Sequence, residues 1–244
     1  MILGTLSRSI LSSKSDTIQV GMTNTFACSY LPEQQEQLLV LQENTINVEL
    51  FEQLLSLGFR RSGEMLYKPH CPHCQACQPI RIPVKQFILS RRQKRTLKNN
   101  RDLSWSIVNA TSDEHYQLYQ QYIEQRHHDG PMFPPSREQY DNFIQCAWHQ
   151  PLLIEIRSCN ALIGVAITDM LPNSLSAIYS FFSPTQEKRS MGALMILIQC
   201  RIAKLMGKDF LYLGYQIDAS RKMNYKKAYQ PYEILTANGW QQSE

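Results

Sequence analysis

The sequence predicts an α/β (α+β) chain, with a mixed central sheet in its C-terminal half and a smaller cysteine-containing N-terminal domain packed against it. Three observations predict this. Strand-type runs gather after residue 150, a long apolar-faced helix at 189–205 stands between two of them, and three of the seven cysteines crowd together near position 74. With 244 residues, 43% hydrophobic and 19% charged, the chain can bury a sizeable core as one large or two small domains. The expected division is a flexible tail at 1–15, an N-terminal domain over 16–103 with the cysteine loop and a basic helix, and a sheet domain over 104–244.

Local rules justify each element in order. A short apolar run covers 38–41. Residues 47–57 carry Val48, Phe51, Leu54 and Leu55 at helical spacing, and Gly58 suits the stop. Extended pieces follow at 59–61 and 65–68, then the cysteine loop and a strand at 80–84. Ser90 is a fitting N-cap for a basic helix over 91–100. A strand at 104–108 leads to Thr111 and Glu114, which read as a capping box opening a helix with Leu118, Tyr119, Tyr122 and Ile123 on its apolar face. Three prolines and a glycine make 127–136 a loop, and a second helix is expected at 137–148.

Strands at 152–157 and 161–169 are joined by the turn Ser158-Cys159-Asn160, and 175–182 is a third strand. The next helix keeps its apolar period through Met191, Leu194, Met195, Ile198, Ile202 and Leu205, and Gly207 ends it. A further strand is expected at 210–213. Hairpin, strand, glycine turn, helix, strand describes a mixed sheet with one crossover helix.

Charge and cysteine usage narrow the class of molecule. The net charge of +4 and pI of about 8.6 are mildly basic. However, Arg91, Arg92, Lys94, Arg95, Lys98 and Arg101 lie close together, a local footprint for a polyanion or simply a solvated helix face. Mean hydropathy is −0.34, and no apolar run approaches the ~20 residues that span a bilayer. The first residues are too short and interrupted for a signal-peptide core. A cytoplasmic chain without membrane partners is expected. An odd cysteine count without a secretory signal argues against a disulfide framework.

Two local patterns carry chemistry. Arg189-Ser-Met-Gly192 sits where a helix starts after a strand, so its unpaired N–H groups point outward and form a site for an anion. Gly192 allows close approach and Arg189 adds charge. The plan resembles GNAT-type acetyltransferases, whose equivalent turn holds the cofactor pyrophosphate; an ordinary strand-to-helix turn with a surface arginine explains the same letters. Cys71-Pro-His-Cys74-Gln-Ala-Cys77 has C-x2-C-x2-C spacing, suited to zinc or an iron–sulfur cluster, with Cys28, His70 or His73 as a fourth ligand. Metal-free thiols remain the alternative, since no second C-x-x-C follows.

Many separated motifs carry a wider resemblance. Cys28-Ser-Tyr-Leu-Pro32, Phe59-Arg-Arg-Ser-Gly63, Tyr67-x-Pro-His-Cys-Pro-x-Cys-x-x-Cys77, Pro79-x-Arg-x-Pro-Val84 and Ser90-Arg-x-Gln-x-Arg95 resemble the N-terminal half of the bacterial aspartate/glutamate leucyltransferases, which belong with the arginyl-tRNA–protein transferases. Arg126-His127-x-Asp129-Gly130, Leu175-Ser-Ala-x-Tyr179, Arg189-Ser-x-Gly192, Tyr212-Leu-Gly-Tyr215 and Lys222-Met-x-Tyr-Lys226 resemble its C-terminal half. Two departures stand out: Pro131 replaces a second glycine, and Gln216 stands where the family often has an aromatic residue. The resemblance implies a GNAT-like C-terminal domain, a leucyl-tRNA donor, proteins with N-terminal Asp or Glu as acceptors, and a role in the N-degron pathway of protein degradation.

The implied reaction is aminolysis of an activated ester, so it requires no ATP and no cofactor, and no phosphate-binding G-x-x-x-x-G-K-[ST] motif is present. His127 and Asp129 are candidate bases in a loop that can face a cleft, although they also suit a helix end. Tyr179 and Tyr215 are candidate donors to the developing oxyanion. Arg60, Arg61 and Arg81, with Tyr30, are expected to hold the acceptor's carboxylate. Arg91, Arg92, Lys94, Arg95, Lys98, Arg189, Gly192, Lys222, Tyr225 and Lys226 are expected on tRNA. Cys28, Cys71, Cys74 and Cys77 are the candidate metal set. Two other classes stay open: an acyltransferase using acetyl-CoA, and a non-enzymatic metal-containing module that binds RNA.

Overall fold

The computed structural model describes residues 4–6, 18–41, 46–130 and 132–243. In chain order the elements are β1 (Gly4–Leu6), β2 (Ile18–Met22), β3 (Phe26–Ala27), β4 (Gln35–Glu36), β5 (Leu38–Leu41), α1 (Val48–Ser56), β6 (Arg60–Ser62), β7 (Met65–Pro69), β8 (Gln78–Pro83), α2 (Arg91–Asn99) and β9 (Leu103–Val108). There follow α3 (Asp113–Arg126), α4 (Arg137–Ile144), β10 (Leu152–Ser158), β11 (Ala161–Met170), β12 (Ser174–Phe182), α5 (Met191–Leu205), β13 (Phe210–Gln216), β14 (Glu233–Thr236) and β15 (Gly239–Gln242). Two 3-10 turns, Pro184–Arg189 and Asn224–Ala228, flank α5 and β13.

The large sheet has the order β15-β14-β8-β13-β12-β11-β10-β9, and the smaller one β1-β2-β5-β7-β6. In the large sheet β12 and β13 pair in parallel, joined by the crossover helix α5, while its other pairings are antiparallel. This is the GNAT-like plan. One strand departs from the expected division: β8 lies before residue 103 yet inserts between β14 and β13. Of the expected tail, Gly4–Leu6 pairs with β2; the rest of 1–15 lies outside the described residues, as does Pro131.

Both faces of the large sheet are covered. Ile154 and Ile156 of β10 pack with Met191, Leu194 and Ile198 of α5, whereas Leu153 packs with Tyr119, Tyr140 and Phe181 beneath α3 and α4. Alternate residues of one strand thus serve two cores. The third core joins α1 to the small sheet through Phe51, Leu55, Phe59 and Leu66. Leu205, expected on the apolar face of α5, is exposed because the helix has run past the sheet by its last turn.

Caps follow the sequence with one shift. Asn47 accepts from Leu50 N–H at 2.8 Å, and Ser90 with Gln93 makes a full capping box. The box at the start of α3 belongs to Ser112 and His115, not Thr111 and Glu114. The helix begins one residue later because the Thr111 hydroxyl is engaged by Tyr140 OH at 2.8 Å. The helix expected at 137–148 stops at Ile144, after which Gln145 is extended and Trp148 turns back onto Phe51, ring centroids 5.3 Å apart.

Gly63 links β6 to β7 at φ +58°, where an added Cβ would meet Asn142 O at 2.3 Å. Gly63→Ala is expected to lose about 2–4 kcal/mol, the left-handed backbone cost plus displacement of α4, read from the denaturant midpoint.

Candidate active site

β12 and β13 pair only from Ser174–Ser176 against Phe210–Tyr212. Beyond that point they no longer pair, and β13 turns irregular between Tyr212 and Tyr215. Arg60 of β6 fills the apex of this opening. Its Nη1 donates to Ser176 Oγ at 3.0 Å and its Nη2 to Ala177 O. Gly214, at φ +82°, keeps the space: a Cβ there would lie 3.5 Å from Arg60 Nε. Arg60 is 7% exposed, and burial lowers its pKa against the opposing pull of Tyr67, Tyr215 and Asp169.

A second buried cation adjoins it. Lys226, in the 3-10 turn Asn224–Ala228, donates from Nζ to Tyr215 O and lies 3.5 Å from Met223 Sδ. Burial and then Arg60 hold its pKa down to about 7, with Cys77 opposing. Among the described residues neither Arg60 nor Lys226 has a carboxylate within ion-pair distance. Two buried charges without a counter-charge are costly, and the cost falls once an anion enters.

The flanks of the opening carry polar groups. On one side Tyr30, an exposed residue, has its hydroxyl pushed up to about 12 by partial burial of that group and by Tyr67, Glu36, Cys77 and Cys28. On the other, His127 caps α3, its N–H on Ile123 O at 2.9 Å and its ring 4.9 Å from Tyr122. Tyr122 stands edge-on to Tyr179 at 6.5 Å. Burial, then Lys222 and Arg126, lower the His127 pKa against Asp129, which favours the neutral imidazole. The Lys222 charge is thus close enough to be felt at His127.

Several expected site residues lie elsewhere. Arg61 points to the opposite face from Arg60, as strand alternation demands. It donates to both oxygens of Asp169 and to Gly63 O, with both partners of the ion pair fully buried. Arg81 is held by Glu233 at 2.6 Å and by Tyr212 OH at 3.0 Å, and it is sandwiched between Phe210 and Trp240. Neither guanidinium is available to an acceptor. Tyr215 donates its hydroxyl to Gly58 O at 2.7 Å, so it braces β13 against the N-terminal segment instead of facing an oxyanion. Lys226, expected on phosphates, is buried.

The basic helix behaves otherwise. Arg91, Arg92, Lys94, Arg95 and Lys98 are all exposed on α2. Arg92, Arg95, Lys188 and Arg189 border a polar cavity of about 390 Å³ at the start of α5. Arg189 itself is bound through both guanidinium nitrogens to Asp102, at 2.9 and 2.8 Å, which reduces its charge toward a ligand. A Cβ on Gly192 would meet nothing within 4 Å, so the turn is open.

The cysteines come near one another: Cys77, pushed up to about 12 by burial, feels Cys71, Cys28, Glu36 and Cys74. Cys71 and Cys74 face across an isolated bridge, and the Cys71 thiol donates to Gln37 O at 3.9 Å. No three His, Cys, Asp or Glu side chains among the described residues converge to hold a metal. The thiols and their geometry do not fit the candidate cluster.

Sequence reasoning missed Ser176, Asp169, His149 and the burial of Lys226. Asp169 alone left a signal, as a carboxylate closing an otherwise apolar strand, where an unpaired charge is too costly to bury.

The mixed sheet opens at its parallel pair, with the crossover helix α5 between those two strands in the chain and two buried cations, Arg60 and Lys226, nearby: a GNAT-like fold. The family model described as "Arginine-tRNA-protein transferase, N terminus" matches residues 26–95, and that described as "Arginine-tRNA-protein transferase, C terminus" matches 114–236. The chain belongs to the arginine-tRNA–protein transferase family. It is 63% identical to the aspartate/glutamate leucyltransferase of Shewanella putrefaciens over 226 residues, covering 93% of this chain and 96% of that one. To the enzyme of the same name from Shewanella oneidensis it is 57% identical over 233 residues, covering 96% and 98%. Among solved structures, L-PGS from Bacillus licheniformis superposes with a TM-score of 0.46 at 11% identity, over 68% of this chain and 50% of that one.

Proposed function

We propose that this chain transfers leucine from leucyl-tRNA to the α-amine of proteins beginning with Asp or Glu, in the cytoplasm, and so marks them for degradation through the N-degron pathway. The relatives' name supports donor and acceptor. One observation carries the reading: Arg60 and Lys226 are buried side by side without a carboxylate partner. An acceptor's acidic side chain supplies the missing charge.

The acceptor amine attacks the leucyl carbonyl, the tetrahedral oxyanion collapses, and the tRNA 3′-oxygen leaves. His127 takes the amine's proton and returns it to that oxygen, with Asp129 steadying the imidazolium. Tyr179 lies beside this path. The exposed cations of α2 hold phosphates. No helix among the described residues is long and apolar enough to cross a membrane.

pH dependence follows from Lys226. Its ammonium is present below about 7 and is the form an acidic acceptor needs, so the KM for an Asp-peptide rises as pH climbs past that value. The acceptor amine, with a pKa of ~7.7–8.0, must be neutral to attack. kcat/KM is expected to be bell-shaped with its maximum at about pH 7.4. Lys226→Arg, which keeps its charge, is expected to lose the alkaline limb; an unchanged limb in that variant refutes the assignment.

The activity test uses tRNA charged with labelled leucine and peptides starting with Asp, Glu or Ala, repeated with acetyl-CoA. Label on the acidic-start peptides alone supports the proposal. Acetylation, or RNA binding without transfer, overturns it.

A further inference from the structure

A second cavity, of about 730 Å³, opens between α2, α5 and the edge of the large sheet. Its wall is apolar, with Phe87, Leu97, Leu103, Trp105, Leu197 and Ile198. Its rim is cationic, with Lys94, Lys98, Arg101, Arg201 and Lys204, and no Asp or Glu lines it. Among the described residues none of these five has a carboxylate within ion-pair distance. Several surface cations elsewhere are paired: Lys85 with Asp209, Arg137 with Asp113, Arg157 with Glu114, and Lys227 with Asp218.

Unneutralised charge around an apolar hole matches a ligand that is anionic outside and flat and apolar inside. A nucleotide unit of single-stranded nucleic acid has that division, with its phosphates on cations and its base on an aromatic wall. Helix α2 links the cavity to the start of α5. Arg92, Arg95 and Asn99 border the polar cavity there, while Lys94, Leu97 and Lys98, on the adjacent face, border this one. Leu197 lies ~9 Å along the α5 axis from Met191, at 1.5 Å per residue.

We infer that the cavity between α2 and α5 takes an unstacked base of the donor tRNA, with the flanking phosphates on Lys94, Lys98 and Arg101. This rests on the aminoacyl-tRNA reading. Base stacking would involve Trp105, which is half-buried and keeps part of its ring open.

Leu97, half-buried on α2 and lining the cavity, provides the test. Leu97→Trp fills the space from the helix side. The KM for leucyl-tRNA and the Kd for uncharged tRNA are expected to rise about tenfold, the loss of one stacked base, with kcat and the peptide KM unchanged. In the wild-type protein, ultraviolet crosslinking to tRNA followed by mass spectrometry is expected to join a nucleotide to the peptide containing Trp105. Normal tRNA affinity in a folded Leu97→Trp protein, or crosslinks confined to other peptides, overturns the inference and leaves leucyl transfer standing. Sedimentation with phosphatidylglycerol vesicles that Leu97→Trp abolishes, with tRNA affinity intact, overturns it in favour of a lipid. Wild-type protein that neither binds tRNA nor transfers leucine sinks both readings.

Discussion

Arg60→Met is expected to reduce leucyl transfer to Asp-start peptides by about 10²–10³-fold, the consequence of deleting a buried charged partner worth about 3–4 kcal/mol. Arg60 sits at the apex where β12 and β13 separate, its guanidinium on Ser176 and Ala177 and under Gly214. Its positive charge lacks a carboxylate partner, since the Asp169 charge that it feels is bound by Arg61. The loss should appear in the peptide KM and in kcat, while the KM for tRNA stays put. Should the folded variant transfer leucine at near wild-type efficiency, Arg60 has no part in the acceptor site. A matched rise in the tRNA KM would mean instead that the residue only props the strands apart.

The second large effect concerns stability. Asp169→Ala leaves the Arg61 guanidinium buried and unpaired, and about 3–5 kcal/mol of unfolding free energy is expected to be lost. For a chain of this size that is about 6–20 °C in Tm. Asp169 and Arg61 each have fully buried side chains, so solvent cannot replace the lost partner. His149 Nε2 is 3.2 Å from Asp169 Oδ1 but outside hydrogen-bond angles, so it does not replace the two guanidinium bonds. The double variant Arg61→Met with Asp169→Leu is expected to recover most of the stability, because it removes both charges together. A single-variant Tm within 2 °C of wild type, at most about a third of the expected loss, rejects the account.

The same pair fixes the sign of an acid effect. Burial alone would raise the Asp169 pKa, but His149 and Arg61 outweigh it and the carboxyl titrates below its usual value. A depressed carboxylate contributes fully above its unfolded pKa of ~3.9 and loses that contribution as pH falls through the folded value. Acid should therefore destabilise the wild type more than the Arg61→Met, Asp169→Leu protein.

Much of the architecture was legible in the residues because the rules that govern it act over a few positions. Asn47 and Ser90 cap their helices, the apolar period from Met191 to Ile202 makes α5, and the turn at Cys159 closes the β10–β11 hairpin. The strands β14 and β15 escaped, as they are short and half-exposed and are completed by pairing with β8. The family motifs also contain Arg60 and Lys226, whose burial only the fold shows.

The local letters could not assign roles within those segments. Arg60 and Arg61 are adjacent and chemically identical, and alternation says only that they face opposite ways. Which one meets the cleft is decided by contacts across 116 positions to Ser176 and 108 positions to Asp169. Likewise Lys226 reads as a surface cation until Tyr215 and Arg60 close over it. Sequence by itself determined the helices, the hairpin and the crossover, since those depend on neighbours in the chain. Tertiary structure alone decided which charges are neutralised and which are left waiting for a substrate, because burial and counter-charge come from residues brought together only by folding.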